Sequence, residues 1–203
     1  MFSKKPNVDP PKGLDNPDYP EADFSGLYEL LEKHKEEASR MANIEFGGTK
    51  SWVEMREHLK KVVNFQLSAI NNFLDRHFYE GNQERKDLYQ TRIHQYSNFA
   101  ASGSWVVGRE WGAKDPELRQ KLSNARTVEI NLLPDDVVEH LRLSIFELYS
   151  LFYFPHKFFY ESRYGRRTRK QRKAHMRDTY QSMMKAALIC FLSGLKSHDH
   201  PSE

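Results

Sequence analysis

Apolar residues recur every three to four positions along most of this chain, which is the spacing of one helix face. The most regular stretch follows Ser51, and its apolar positions are Trp52, Met55, Leu59, Val62, Val63, Leu67, Ile70, Phe73, Leu74 and Phe78. Ser51 followed by Glu54 fits a capping box, in which each side chain satisfies a backbone donor at the helix start. The pattern predicts one core helix from Ser51 to about Tyr79, with Leu67, Ile70 and Leu74 buried.

Two neighbouring segments show the same spacing with weaker boundaries. A first segment opens at Ser25 and reaches the glycine pair that begins at Gly47. Another opens at Asn82 or Gln83 and is expected to weaken in the small-residue patch of residues 100–104. Both segments are predicted to be helical, because their apolar positions keep to one helix face.

Acids and prolines place the starts of two later helices. Asp115-Pro116-Glu117 combines an N-cap acid, a proline at the first helical position and negative charge at the helix start. Pro134 opens the second helix in the same way. Residues 127–133 alternate apolar and polar side chains, so we predict a short extended connector between the two helices.

The ends of the last two helices are predicted from single residues. The helix that opens at Pro134 is expected to break or kink at Pro155, because proline has no amide hydrogen to donate. The final helix is expected to begin at Arg167 or Thr168. It should close at Gly194, since glycine is the residue that most often follows the last helical position.

These elements predict an all-α fold, an elongated bundle of five to six helices with an extended N-terminal arm. Residues 1–22 hold five of the nine prolines, and a segment of this composition cannot offset the entropy of its own ordering. The expected organisation is therefore an arm over residues 1–22, a helical domain over residues 23–197 and a polar tail over residues 198–203.

Composition excludes several classes of protein. The single cysteine, Cys190, cannot form an intrachain disulfide, and its apolar surroundings favour a buried, inert thiol. The longest apolar stretches, residues 143–154 and 183–195, are shorter than the ~20 residues that cross a bilayer. The N-terminus lacks the apolar run of a secretory signal. No transmembrane segment is expected.

The chain carries no recognisable catalytic motif. P-loop, dinucleotide-binding and serine-hydrolase motifs are absent from the sequence. Glu54 with His58, and Asp136 with His140, each stand four residues apart. That spacing would put both groups on one helix face, but it is equally typical of surface charge pairs. We therefore expect no enzymatic activity, no cofactor and no metal site.

One segment concentrates aromatic and basic side chains. Its candidate interface aromatics are Phe152, Tyr153, Phe154, Phe158, Phe159 and Tyr160. Its candidate anion-binding residues are Arg163, Arg166, Arg167, Arg169, Lys170, Arg172, Lys173 and Arg177. Removing these eight positive charges would change the formal net charge from +3 to −5. The protein is thus an acidic body with one basic element, an asymmetry that points to a partner for that element.

Three interpretations of the basic element remain open. Its charges could pair with acids of the first helical segment, which are Glu29, Glu32, Glu36 and Glu37. It could meet anionic phospholipid headgroups while the aromatic residues lie at the membrane interface. It could also meet RNA phosphates. The acidic body disfavours RNA, because it would repel a long polyanion, whereas a lipid surface or an acidic protein touches one edge only.

The function expected from the sequence is a non-catalytic accessory or structural subunit of a large assembly. The expected location is peripheral to the mitochondrial inner membrane, in a complex of the respiratory-chain or ATP-synthase kind, with other protein subunits as partners. That location comes from general expectation for such subunits and from no motif. The alternative is an RNA-associated protein, such as a component of the mitochondrial ribosome.

Overall fold

The computed structural model describes residues 23–125, 127–162, 165 and 168–199, and the expected arm over residues 1–22 lies outside them. Within the described residues the fold is all-α, as predicted, with eight α-helices and no strand. The helices are α1 Ser25–Lys33, α2 Lys35–Arg40, α3 Trp52–Ser68, α4 Asn71–His77, α5 Gln83–Lys114, α6 Pro116–Asn124, α7 Asp135–Glu161 and α8 Arg169–Lys196. Short 3-10 turns cover Ile130–Leu132 and Ser197–Asp199. None of the described helices is both long enough and apolar enough to span a bilayer.

The small-residue patch does not weaken α5, contrary to the prediction. Every residue from Ala100 to Gly108 is buried, and α1, α3, α7 and α8 all pack around this helix. A helix enclosed on every side has no polar face, so its amphipathic pattern disappears where it is most central. Small side chains at these positions let the surrounding helices approach closely.

Helices α5 and α8 meet at their main chains. A Cβ atom built on Gly194 would lie 1.9 Å from the carbonyl oxygen of Trp105, and one on Gly108 would lie 1.9 Å from that of Phe191. Gly194 therefore serves helix packing and does not end α8, which continues to Lys196. The predicted helix end at Gly194 was wrong, because the glycine is required by a neighbouring helix and not by a local turn.

The predicted core helix from Ser51 to about Tyr79 is divided into α3 and α4. Ile70 leaves helical geometry (φ −123°, ψ 22°), and its amide bonds to the carbonyl of Leu67 at 3.0 Å. Leu67, Ile70 and Leu74 are buried, as predicted. Ser51 does precede the first residue of α3, but its side chain makes no capping hydrogen bond.

Later boundaries follow the sequence signals more closely. Asp115 caps α6 by accepting a hydrogen bond from the amide of Leu118 at 2.8 Å, and α7 begins directly after Pro134. The expected extended connector instead contains the 3-10 turn Ile130–Leu132. A capping box is formed at the start of α8, between Thr168 and Gln171.

Helix α7 runs through Pro155 to Glu161, so the expected break does not occur, and the alternative expectation of a kink stays a prediction. Proline leaves the carbonyl four residues earlier, that of Leu151, without its helical donor. The hydroxyl group of Tyr89 on α5 donates a hydrogen bond to this carbonyl oxygen. The helix can continue because a side chain from another helix replaces the missing amide.

Candidate anionic-surface interface

The first turns of α8 carry four exposed cations, Arg169, Lys170, Lys173 and Arg177, which we call the basic stripe. Three of them stand four residues apart and share one side of the helix. Arg169, Lys170 and Lys173 have no acidic partner among the described residues, and Arg177 lies 3.6 Å from the exposed carboxylate of Asp178. The stripe is therefore a set of solvated positive charges.

The other predicted cations are placed differently. Arg172 is half-buried and turns toward α7, where its Nη1 donates to the carbonyl of Tyr160 at 3.3 Å. It therefore ties α8 to the end of α7 and does not join the stripe. Arg163, Arg166 and Arg167 lie outside the described residues.

Three of the predicted interface aromatics are buried inside the chain: Phe152, Tyr153 and Tyr160. The ring of Phe152 lies 5.5 Å from that of His175 on α8, and Tyr160 lies 6.2 Å from the same imidazole. Nearby, Tyr149 of α7 meets Tyr180 of α8 edge-on at 5.1 Å. These aromatic residues fill the contact between α7 and α8, where ring pairs add to the burial energy.

Two other predicted aromatics face solvent on a different side of α7. Phe154 is 48% exposed and Phe158 is 53% exposed. They stand two residues from Phe152 and Tyr160, which is about 200° around a helix. Phe159 is half-buried, with its ring 5.2 Å from that of Phe73 on α4. The structure thus splits the aromatic set between the core and an outward face that points away from α8.

Pairing of the basic stripe with the acids of the first helical segment is not seen in the described residues. Glu37 instead forms ion pairs with Arg109 of α5 and Arg40, and Glu32 pairs with Lys35. Glu37 is thus turned toward α5 and along α2, and Glu32 of α1 pairs with the first residue of α2.

Residues of both acid–histidine pairs, Glu54 with His58 and Asp136 with His140, make contacts other than a shared metal site. Glu54 lies 3.5 Å from Lys50, and the Nδ1 of His140 is hydrogen-bonded to the carbonyl of Asp136 at 2.7 Å. No group of three histidine, cysteine or acidic side chains suitable for a metal ion occurs in the described ranges.

Sequence reasoning missed an open groove between α3 and α8. It has a volume of about 360 Å³, and its lining residues are His58, Lys61, Val62, Phe65, Gln66, His175, Asp178, Thr179 and Ser182. These residues come from two helices far apart in the chain, so no local sequence pattern predicts the groove. One signal was present in the sequence, because Phe65 lies outside the apolar spacing that predicts the core face of this helix, and the structure leaves its side chain 74% exposed.

No protein-family model matches the chain, and neither curated proteins nor solved structures show significant similarity to it. Function is therefore inferred from the described residues themselves. Among their surfaces, the basic stripe has the clearest chemical character, because it gathers one sign of charge on one helix side.

Proposed function

We propose that this protein is a non-catalytic subunit of a membrane-associated assembly and that its basic stripe rests on an anionic phospholipid surface. The observation that carries the proposal is the exposure of Arg169, Lys170 and Lys173 without acidic partners in the described residues. Each such charge contributes ~1 kcal/mol when it lies near an anionic leaflet.

The distribution of charge favours a lipid surface over a nucleic acid. With the eight basic residues of residues 163–177 removed, the formal net charge falls from +3 to −5. A flat membrane touches one edge of the protein only, so acids on its other sides lie beyond the screening length of ~8–10 Å. A long RNA would have to pass other, repulsive parts of the surface.

Vesicle binding tests this proposal. The full chain should bind vesicles that contain an anionic phospholipid, should ignore pure phosphatidylcholine vesicles and should dissociate as salt is raised. The triple variant Arg169→Gln, Lys170→Gln, Lys173→Gln should bind about a hundredfold more weakly, since it loses ~3 kcal/mol of attraction. Unchanged affinity in this variant would rule the proposal out.

A matched control separates the stripe from net charge. Arg76, Lys121 and Lys185 are exposed and lie on other helices or further along α8. Changing these three residues to Gln removes the same total charge and should leave vesicle affinity within about threefold, because scattered charges gain little at a surface. Tighter binding to RNA than to anionic vesicles at physiological salt would favour the RNA-associated alternative instead.

The membrane that we propose is the mitochondrial inner membrane, in a complex of the respiratory-chain or ATP-synthase kind. The chemistry that supports this choice is the fit of a basic surface to cardiolipin-rich leaflets. Cell fractionation should recover the protein with inner-membrane complexes, and carbonate extraction should release it. Recovery with ribosomes or in the cytosol would contradict the proposed location.

A further inference from the structure

The outward side of α7 carries residues at the spacing of a helix–helix seam. Its members are Glu147, Leu151, Phe154 and Phe158, which we call the outer seam. Their separations of four, three and four residues are those of alternating a and d positions in a heptad. The residues of α7 that contact α8 lie on its other side, so the outer seam faces away from that neighbour.

This spacing suits a helix better than a flat lipid surface. Knobs at a and d positions insert into holes between the side chains of a facing helix, and three turns of such a seam extend ~16 Å. The ring of Phe158 lies 5.7 Å from that of Phe73 and 6.1 Å from that of Phe78, both at α4. Helix α4 therefore supports one end of the seam and fixes the position of its most exposed ring.

Glu147 is the only charged member of the seam. It is half-buried, it has no cationic partner in the described residues, and its burial raises its pKa. A polar residue within an apolar seam selects its partner and register, because an unpaired charge is costly to enclose. A cation on the covering helix would satisfy Glu147 and favour its charged form, which apolar surroundings disfavour.

We propose that the outer seam docks an α-helix of another protein, and that a lysine or arginine within the apolar stripe of that helix pairs with Glu147. This inference rests on the proposed role as a subunit of an assembly and names the chemistry of the neighbour. The seam and the basic stripe lie on different helices and serve different partners.

Photo-cross-linking tests the seam in its native setting. Benzoylphenylalanine replaces Phe154 in cells that make the protein naturally, and the cross-linked peptide is sequenced after irradiation. The expected product is a segment of one other protein, with apolar residues three to four apart and a Lys or Arg within one turn of them. The same probe at Phe65, which is 74% exposed on α3, should not give this product.

Charge exchange then decides whether Glu147 selects the partner. With the probe at position 154, Glu147→Lys should lower the yield of that product at least tenfold, and changing the partner's cation to Glu should restore it. A lipid adduct, an adduct with a second copy of this chain, or a yield no higher than at position 65 would overturn the proposal. So would an unchanged yield in the Glu147→Lys protein.

The two proposals fail in different ways. Purified Glu147→Lys protein should bind anionic vesicles at least as well as the unaltered chain, because the basic stripe is intact. Loss of vesicle binding by the stripe variant concerns the lipid surface only. If vesicles never bind but the position-154 product forms and responds to charge exchange, the lipid role is wrong and the helix-docking seam stands.

Discussion

The phenol of Tyr89 on α5 donates a hydrogen bond to the main-chain carbonyl of Leu151 on α7. That oxygen is the one from which Pro155 withholds an amide donor. Burial raises the pKa of Tyr89, so the phenol stays protonated and remains a donor at all ordinary pH values. One side chain thus permits a proline within a 27-residue helix.

Removing the Tyr89 hydroxyl group should show whether its contribution to stability depends on Pro155. Tyr89→Phe should lower the free energy of unfolding by about 1–3 kcal/mol, because a partly buried carbonyl loses its donor. In a Pro155→Ala background the new amide can satisfy Leu151, so the same change should cost less than half as much. Urea unfolding of the four proteins gives the coupling energy.

Tyr96 provides the control for this cycle. It is half-buried on the same helix, and no hydrogen bond of its hydroxyl occurs in the described residues. Tyr96→Phe should therefore change stability by no more than about 0.5 kcal/mol. Equal costs for Tyr89→Phe with and without Pro155 would show that the hydroxyl does not compensate for the proline.

Gly194→Ala should lower the free energy of unfolding by about 3 kcal/mol, the upper end of the usual range, since the added methyl group meets a carbonyl oxygen and not a flexible side chain. Gly26 in α1 has no atom within 4 Å of a built Cβ. Gly26→Ala should stabilise the protein by roughly 0.5–1 kcal/mol. Thermal or urea unfolding that ranks the two variants in the opposite order would refute the close contact between α5 and α8.

Glu110 should make stability depend on acidic pH. Hydrogen bonds from Lys33 at 2.8 Å and with His34 at 3.0 Å, aided by Lys114, lower the pKa of Glu110 to about 2 despite its burial. A carboxyl group with a lowered pKa stabilises the fold above its ordinary pKa of 4.5, and that contribution is lost as the pH falls toward 2.

The variant Glu110→Gln tests this dependence. It should lower the free energy of unfolding by about 1.5–3 kcal/mol at pH 7, because charged hydrogen bonds are weakened. The difference from the unaltered protein should shrink steadily below about pH 4.5. Glu45 is exposed in the loop before α3 and has no ion pair within the described part of the chain. Glu45→Gln should leave the free energy of unfolding nearly unchanged. If Glu110→Gln destabilised the protein as much at pH 2.5 as at pH 7, the expectation would be contradicted.

Cys190 should be chemically silent in the folded protein. Its side chain is fully buried, and this burial raises its pKa, so little thiolate forms. An aromatic disulfide reagent at pH 8 should react only at the rate of unfolding. Gly194→Ala should accelerate the reaction, whereas rapid labelling of the unaltered protein would show that α8 is not enclosed as described.

The most reliable predictions concerned features that depend on neighbouring residues in the chain, such as helix caps and the buried face of a helix. The Asp115 cap and the burial of Leu67 and Leu74 follow from nearby residues, and the structure confirms them. Two local signals were nevertheless wrong, the Ser51 cap and the uninterrupted helix through Ile70. Two further errors come from distant partners: Tyr89 lets α7 continue at Pro155, and Trp105 accounts for Gly194. A pattern along the chain carries no information about a residue on another helix.

Local sequence patterns also predicted part of the candidate interface. The exposure of Arg169 and Lys173 is consistent with a charge-rich helix start. The division of the aromatic residues could have been read from their spacing, since Phe152 and Phe154 must point to nearly opposite sides of one helix. Which side faces α8 required the structure, as did the inward turn of Arg172.

The main-chain contact at Gly194 also has a mechanical consequence. Helix α8 is continuous from Arg169 to Lys196, so the basic stripe sits at one end of a rod whose first half packs on α7 and whose last turns contact the main chain of α5. A sideways load on the stripe would pass partly to α7 and partly ~27 Å along hydrogen-bonded backbone to the glycine contact. At that contact main chain meets main chain, so a displacement would pass directly to α5 and the centre of the bundle.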